Sequence, residues 1–229
     1  MSSPLTLALD ASTYTGSVAL IEGSQLLSEC EVAMRGEKEE RLMPAVESVI
    51  SNAGVRPADI GRIACGGGPG SFTSLRIAAA IGKGMAAGRG IPLYTASSLI
   101  LIVTGSPAGA TPGRYLAVLD ALRGDVYTAA YEVRESASGD DGKLEVLEIA
   151  PLALVERENA AALAKSLGAR CIGPREELSA IPRASGFARI GALLERSGPV
   201  DLGLWEPDYG RLAEAQVRWE REHGRPLQS

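Results

Sequence analysis

Residues 60–99 read IGRIACGGGPGSFTSLRIAAAIGKGMAAGRGIPLYTASSL, and this stretch decides the fold. The apolar run at 60–65 predicts a short buried strand. The glycine- and proline-rich run at 66–70 is incompatible with helix or strand, so it predicts a tight loop. Ser71 is then placed to cap a helix that runs to about Ala87, and residues 91–95 predict the next strand.

The predicted helix is unusual because most of its residues are small. Ile77, Ile81 and Met85 recur at every fourth position, and their flanks are nearly all Ala or Gly. Each interior Gly costs about 1 kcal/mol relative to Ala, so the pattern suggests that other backbone comes close on more than one face. One face should lie on its own sheet. The other is either packed inside the same domain or free for a second helix of a partner, and the pattern leaves both alternatives open.

The glycine-rich loop invites comparison with phosphate-binding turns. A Walker sequence requires Gly-Lys-Ser/Thr directly before the helix, whereas residues 70–73 are Gly-Ser-Phe-Thr. No G-x-G-x-x-G with an acidic residue at the right distance is present either. An anion held by free N–H groups of the turn remains an open alternative.

Composition narrows the class of protein. The chain has 229 residues, 45% of them hydrophobic, and a net charge of −5, which suits one domain or two small ones. An acidic chain is a poor candidate for binding nucleic acid by itself, because neutralisation of the phosphate charges dominates such binding. We see no signal peptide and no run near the ~18 residues of a membrane span. Cys30, Cys65 and Cys171 fit no zinc or disulfide pattern, so we expect a reducing cytoplasm.

The rest of the chain predicts an internal duplication. Strands at 5–10, 17–21 and 25–32 with short turns form an antiparallel meander, and a helix starting near Met43 follows. A Gly- and Pro-rich boundary at 105–113 separates a first half, 1–105, from a second, 106–229. There YLAVLD at 115–120 repeats LTLALD at 5–10.

In the second half the copy is degenerate, because its glycine-rich loop and small-residue helix are reduced. Its predicted strands lie at 126–133, 143–149 and 170–172. Its predicted helices lie at 156–167, 187–196 and, in the tail, 211–222. We expect the tail helix to pack back across one of the halves, with the first half as the candidate. The sequence therefore predicts two mixed-sheet α/β halves.

Duplicated units of this layout, with an Asp ending the first strand of each half, resemble the actin, sugar-kinase and Hsp70 superfamily with its ribonuclease H-like halves. The resemblance implies a nucleotide cleft between the halves. The alternative that we favour is that both aspartates are inherited turn and cap residues, because the second half is short for an adenosine pocket. The candidate residues of a vestigial cleft are Asp10, Ser12, Thr13, Gly68, Gly70, Ser71 and Asp120, with Arg123 and Gly124 beside the last.

Catalytic and metal chemistry find little support in the residues. His223 is the single histidine of the sequence, so a two-histidine metal site within this chain is excluded. No spacing of carboxylates points to paired acid–base catalysis. Ser71 and Thr73 have no evident base nearby in sequence, so a nucleophile is not expected. We expect no metal and no catalytic residue.

Several segments, taken in order, resemble the TsaB (YeaZ) family of tRNA threonylcarbamoyladenosine biosynthesis proteins. They are LALDASTYTGSVAL, ERLMPAV, GGGPGSFTSLRIAAAIGKGMA, IPLYTASSL and LDALRGDVY. The resemblance covers the first half strongly and the second more weakly, through LDALRGDVY and EPDYGRLAEA. The GPGSFT-x-LRI element is its most specific part. Lys38 and Glu39 stand where the family often has a His-Ser pair.

This resemblance implies a non-catalytic subunit of the bacterial complex that makes tRNA N6-threonylcarbamoyladenosine (t6A). Such a subunit pairs with the catalytic paralogue TsaD through a four-helix contact, and the pair recruits the ATPase TsaE. ATP would be used by the complex rather than by this chain, tRNA would be met only through the complex, and the chain alone could form a homodimer.

The partner surface implied by this pairing comprises Leu42, Met43, Val46, Phe72, Leu75, Arg76, Ala79, Gly82 and Lys83. The alternative from another class is an active ATP-dependent phosphotransferase or carbamoyltransferase of the same superfamily.

Overall fold

The structure is a computed structural model that describes residues 4–36, 39–135 and 144–210. Three features of the sequence analysis lie outside the described residues. They are Lys38, the polar turn at 139–142, and the tail helix at 211–222 with His223 beyond it.

The first half is built on a five-stranded mixed sheet. The strands are β1 (Leu5–Asp10), β2 (Thr15–Glu22), β3 (Gln25–Ala33), β4 (Ile60–Gly66) and β5 (Leu93–Ala96). The first three form the predicted antiparallel meander, and β4 and β5 extend the sheet in parallel with β1, in the order β3-β2-β1-β4-β5.

The second half repeats this sheet with the same strand order and directions, β8-β7-β6-β9-β10. The predicted duplication and the actin/sugar-kinase/Hsp70-like fold class are therefore confirmed. Only residues 174–177 separate the last two strands, so the counterpart of the glycine-rich loop and its helix is indeed reduced. The strands are β6 (Gly113–Asp120), β7 (Asp125–Glu135), β8 (Leu144–Glu156), β9 (Arg170–Gly173) and β10 (Leu178–Ser179).

Helices cover the outer face of each sheet. On the first sheet, α1 (Leu42–Asn52) and α2 (Phe72–Arg89) pack against alternate strand residues such as Leu7 and Leu9. On the second, α4 (Arg157–Leu167) packs against Leu116 and Val118. None of the helices in the described ranges combines the length and hydropathy needed to cross a bilayer.

A shared core lies between the two sheets. Helix α3 (Ser98–Thr104) is buried along its whole length and contacts both halves. Ser97 caps it, because its Oγ accepts the Leu99 N–H at 3.2 Å. Residues of both sheets, such as Ala8 and Tyr115, belong to the same buried cluster. The division of the chain at residue 105 therefore stays a prediction.

The helix predicted at 187–196 is wrong in its extent. The chain instead forms a 3-10 turn, Ala184–Arg189, and a short helix α5 (Gly191–Ser197), because Ile190 between them leaves the helical conformation. This break lets Phe187, Ile190 and Leu194 all insert into the core between the sheets.

Residues 198–210, which we call the strap, return to the first half. The Val200 N–H donates to the Leu93 carbonyl at 2.8 Å, at the free edge of β5. Val200, Leu202 and Trp205 pack against the core of the first half.

Arg62 joins the halves at a buried position on β4. Its Nε donates to Thr6 Oγ1 at 2.6 Å, its guanidinium pairs with Glu195 of α5, and it lies 5.5 Å from the ring centre of Tyr94. We expect Arg62→Ala to lower the free energy of unfolding by about 2 kcal/mol, because a buried, hydrogen-bonded and packed side chain is lost.

Urea denaturation followed by circular dichroism measures this effect. Arg170→Ala is the matched control, since Arg170 pairs with Glu177 on the surface and such pairs contribute about 0–1 kcal/mol. Equal losses in the two variants would contradict a structural role for the Arg62 contact.

Candidate functional site

The loop at 66–71 is folded onto its own protein by backbone hydrogen bonds. The Gly67 N–H donates to the Ala96 carbonyl at 2.8 Å, and the Gly68 N–H donates to Ser98 Oγ at 3.1 Å. The Ser71 N–H donates to the Ser12 carbonyl at 2.8 Å. These donors are already used within the chain, so the loop does not offer them to an anion.

Asp10 lies beneath this loop and is fully buried. Its Oδ1 accepts the Ser12 N–H at 3.0 Å and the Ser12 hydroxyl at 2.8 Å, and its Oδ2 accepts the Ser98 hydroxyl at 2.6 Å. Burial raises the pKa of Asp10, while the bonds from Ser98 and Ser12 lower it and only partly offset the burial. The carboxylate is thus bonded inward, under the loop, rather than aimed at solvent.

The predicted cleft residues come together only in part. Asp10, Ser12, Gly68, Gly70 and Ser71 form one cluster, in which a Cβ at Gly70 would overlap the Ser12 carbonyl. The glycine at 70 is therefore required by a close approach of two backbones.

The other two predicted cleft residues are engaged elsewhere. Thr13 keeps its hydroxyl in its own turn, where it donates to the Thr15 carbonyl at 2.9 Å. Asp120 is exposed and accepts the Leu122 N–H at 3.0 Å. Leu122 and Arg123 both adopt positive φ. The open depression beside them is lined by residues 123–125 and 156–158, all of them charged except Gly124.

The strap covers the glycine-rich loop. The sequence analysis did not predict this contact. The Asp208 N–H donates to the Gly67 carbonyl at 2.7 Å, and a Cβ at Gly68 would overlap the Asp208 carbonyl oxygen. The Tyr127 hydroxyl of β7 donates to the Tyr209 carbonyl at 3.3 Å. The strap therefore lies between the loop of the first half and a strand of the second, where the superfamily resemblance implied a nucleotide.

The predicted partner surface lies on α1 and α2, and the structure corrects its membership. Five of the nine residues are buried in the core of the first half and face away from solvent, so their assignment to a surface is wrong. These residues are Leu42, Val46, Leu75, Ala79 and Gly82. They point inward because both helices pack on the sheet; a Cβ at Gly82, for example, would contact Ile63 and Leu93 at 3.7 Å.

The remaining four members are accessible. Met43 and Phe72 are 38% and 41% exposed, Arg76 is exposed and Lys83 is half-buried. The exposed side of α2 also carries small residues that we had not assigned to the surface, and we call Ala80, Gly84, Ala87 and Gly88 the crest. Nothing lies within 4 Å of a Cβ at Gly84 or Gly88. Small residues therefore face both the sheet and solvent.

Within the described ranges, no group of three or more His, Cys, Asp or Glu side chains is arranged to hold a metal ion.

The inward bonding of Asp10 generates a prediction about pH. Its pKa is higher in the folded chain than its usual 3.8, so the folded state holds this proton more strongly than the unfolded state does. The contribution of Asp10 to the free energy of unfolding must then fall as pH rises from about 3.8 through the folded pKa, by ~1.4 kcal/mol per unit of pKa difference. Asp10→Asn does not titrate, so the stability of the natural chain relative to this variant should fall with rising pH.

Urea denaturation between about pH 4 and about pH 8 measures the difference. Asp59→Asn is the control, because the hydrogen bond from Arg56 lowers the pKa of Asp59 below its usual 3.8; Asp59 is then largely ionised in both states across this range, so its gap to the natural chain should change little. A pH-independent gap for Asp10→Asn would contradict the assignment.

Comparisons with known proteins agree with the family resemblance of the sequence segments. A family model described as "TsaD: tRNA N6-adenosine threonylcarbamoyltransferase" matches residues 31–169. The chain is 29% identical to the tRNA threonylcarbamoyladenosine biosynthesis protein TsaB of Bacillus subtilis over 93% of this chain and 96% of that protein. It is 37% identical to TsaB of Escherichia coli over 57% of this chain and 56% of that one.

A solved structure, YeaZ from Pseudomonas aeruginosa, superimposes with a TM-score of 0.73 at 25% identity and covers 90% of this chain and 99% of that one. The family model spans more than half of the chain, and the named relatives and the solved structure agree with it. The chain therefore belongs to the TsaD family and, within it, to the TsaB/YeaZ group.

Proposed function

We propose that this chain serves t6A biosynthesis in the cytoplasm as a non-catalytic subunit. It binds a TsaD-like catalytic paralogue through the outer faces of α1 and α2, and the pair admits a TsaE-like ATPase. The names of the B. subtilis and E. coli relatives support the pathway. In this proposal tRNA contacts the chain only through the complex, and the chain alone can pair with itself.

The observation that carries the proposal is the crest of α2. Gly in an exposed helix interior costs ~1 kcal/mol relative to Ala, and Gly84 and Gly88 meet nothing in this chain that would require it. Helix axes pack 8–10 Å apart depending on the side chains between them, so small residues allow a partner helix to approach closely. Met43 at the start of α1, the helix that packs beside α2, adds exposed apolar area.

The basic side chains of α2 leave the crest open. Arg76 lies 5.1 Å from the ring centre of Phe72, Lys83 donates to the Trp205 carbonyl at 2.9 Å, and Arg89 donates to the Ala58 carbonyl at 2.8 Å. Helix α2 has no acidic residue, so two copies brought crest to crest would place like charges together. An acidic helix of a different chain would meet no such repulsion, so we propose that the paralogue presents one to α2.

The filled cleft supports the non-catalytic part of the proposal. The strap lies over Gly68, and the N–H groups of Gly67, Gly68 and Ser71 are bonded within the chain. Asp10 is bonded inward. We therefore propose that this chain needs no cofactor and that the complex uses ATP at another subunit.

Gly84→Leu tests the docking face. The leucine enters open space in an exposed helix, so the fold and its thermal midpoint should be kept or slightly raised. It should obstruct a close helix contact and weaken binding to the TsaD-like paralogue by about a hundredfold or more. Isothermal titration calorimetry measures the affinity, and t6A formation in the reconstituted complex should fall with it.

Ala161→Leu is the matched control, because Ala161 is an exposed small residue on α4 of the other half. It should bind the paralogue like the natural chain. Normal binding by Gly84→Leu, in protein shown to be folded, would remove the crest from the interface.

The alternative is an active ATP-dependent phosphotransferase or carbamoyltransferase. Calorimetry of the isolated chain with Mg-ATP separates the two functions, because the covered loop should leave no binding heat at about 100 μM protein, a concentration at which micromolar affinities are readily detected. A nucleotide-turnover assay of the same sample should stay at background. Micromolar binding together with turnover would overturn the non-catalytic assignment.

A further inference from the structure

Leu204 in the strap lies on a hydrogen-bonded turn and is exposed to solvent. Its side chain is 82% exposed, although Leu202 and Trp205 on either side pack against the core of the first half. Burying a leucine is worth roughly 1.5–3 kcal/mol in other settings, and that gain is forgone here. Exposure on this scale in an ordered segment suggests a contact residue.

Asp201 orders the turn that presents Leu204. Its Oδ1 accepts the Gly203 N–H at 2.7 Å and the Leu204 N–H at 3.3 Å. Its carbonyl accepts the Trp205 N–H at 2.8 Å. A side chain carried by a backbone fixed in this way loses little conformational entropy on binding, so it is suited to act as an anchor.

The strap and α2 form one continuous surface. Lys83 of α2 donates to the carbonyl of Trp205, the residue next to Leu204, at 2.9 Å. Further along, the rings of Phe72 and Tyr209 lie 4.5 Å apart. The turn that carries Leu204 therefore lies beside α2.

Charge around Leu204 indicates the chemistry of its contact. Asp201 and Glu206, both exposed, flank it in the strap, so a socket for Leu204 should be apolar with a rim of lysine or arginine. Two straps of the same chain would instead bring acidic rims together. The open depression near Arg123 and Glu158 is lined by charged side chains and Gly124, so it would not accept a leucine from a second copy.

We infer that Leu204 is a second anchor for the partner of the crest, inserted into a basic-rimmed apolar socket on that different chain. This inference rests on the proposed function, since it assigns the strap to the same partner. The sequence segment DLGLWE at 201–206 thereby supplies one wall of the docking surface, and α1 supplies the other.

Leu204→Ala tests the anchor in the full chain with the TsaD-like paralogue. Affinity measured by calorimetry should fall about tenfold or more, because a central apolar anchor is truncated. Leu154→Ala is the matched control: Leu154 is 50% exposed on β8 and its variant should stay within about twofold of the natural chain. Glu206→Lys should slow association at low salt, with a smaller difference at about 0.5 M salt.

The outcomes separate this inference from the proposed function. If the natural chain does not bind the paralogue at all, both fail. If it binds, and Gly84→Leu disrupts binding while Leu204→Ala does not, only the anchor is overturned. A drop in the thermal midpoint of isolated Leu204→Ala, or a loss of self-association in sedimentation, would also overturn it, because Leu204 would then be covered by this chain itself or by a second copy.

Discussion

The end of the first sheet that lies under the glycine-rich loop is held by the hydrogen bonds that the buried carboxylate of Asp10 accepts. A buried carboxylate without partners costs several kcal/mol, and here three donors from Ser12 and Ser98 supply its hydrogen bonds. Ser98 also accepts the Gly68 N–H, so the carboxylate, the start of α3 and the glycine-rich loop form one network. This network holds the loop that precedes α2. Asp10 is thereby engaged in positioning, which supports its interpretation as a turn residue.

Helix α2 uses small residues for two different purposes. Gly82 and Ala86 bring the helix onto its own sheet, whereas Gly84 and Gly88 face outward with nothing opposite them. Packing inside the domain, the first alternative that the sequence left open, is seen on one face of α2; the opposite face is exposed, as the second alternative requires. Packing toward the sheet explains the first set completely, because a Cβ at Gly82 would already contact two core side chains. The second set has no explanation inside the described part of this chain, and docking supplies one.

The sequence predicted the fold well where a strong periodicity or a turn residue was decisive. The meander, the loop, α2 and the repeat of YLAVLD all follow from such signals. It could not assign sides to α2, because Ile77, Ile81 and Met85 form a stripe that is only half-buried against the core and does not mark the centre of the buried face. It also missed the strap, whose position is set by main-chain bonds between residues about 140 positions apart, such as Asp208 with Gly67. Such bonds produce no periodic pattern in the sequence. The available signal was a pair of glycines at points where backbone or a tyrosine ring comes close, Gly68 and Gly210.

The reduction of the loop and helix in the second half accounts for how the loop of the first half is used. In a duplicated fold with a working cleft, the loops of both halves would face a ligand between them. Here the second half has only residues 174–177 where the first half has its loop and α2, so one side of such a site is missing. The chain that follows crosses back and lies on the remaining loop, with Asp208 against Gly68 and Gly210 against Tyr127. The strap satisfies the Gly67 carbonyl of the loop, and its Trp205 carbonyl accepts from Lys83 of α2, so it lies beside that helix. The covered loop and the extension of the α2 surface by the strap are thus two consequences of the same path of residues 198–210.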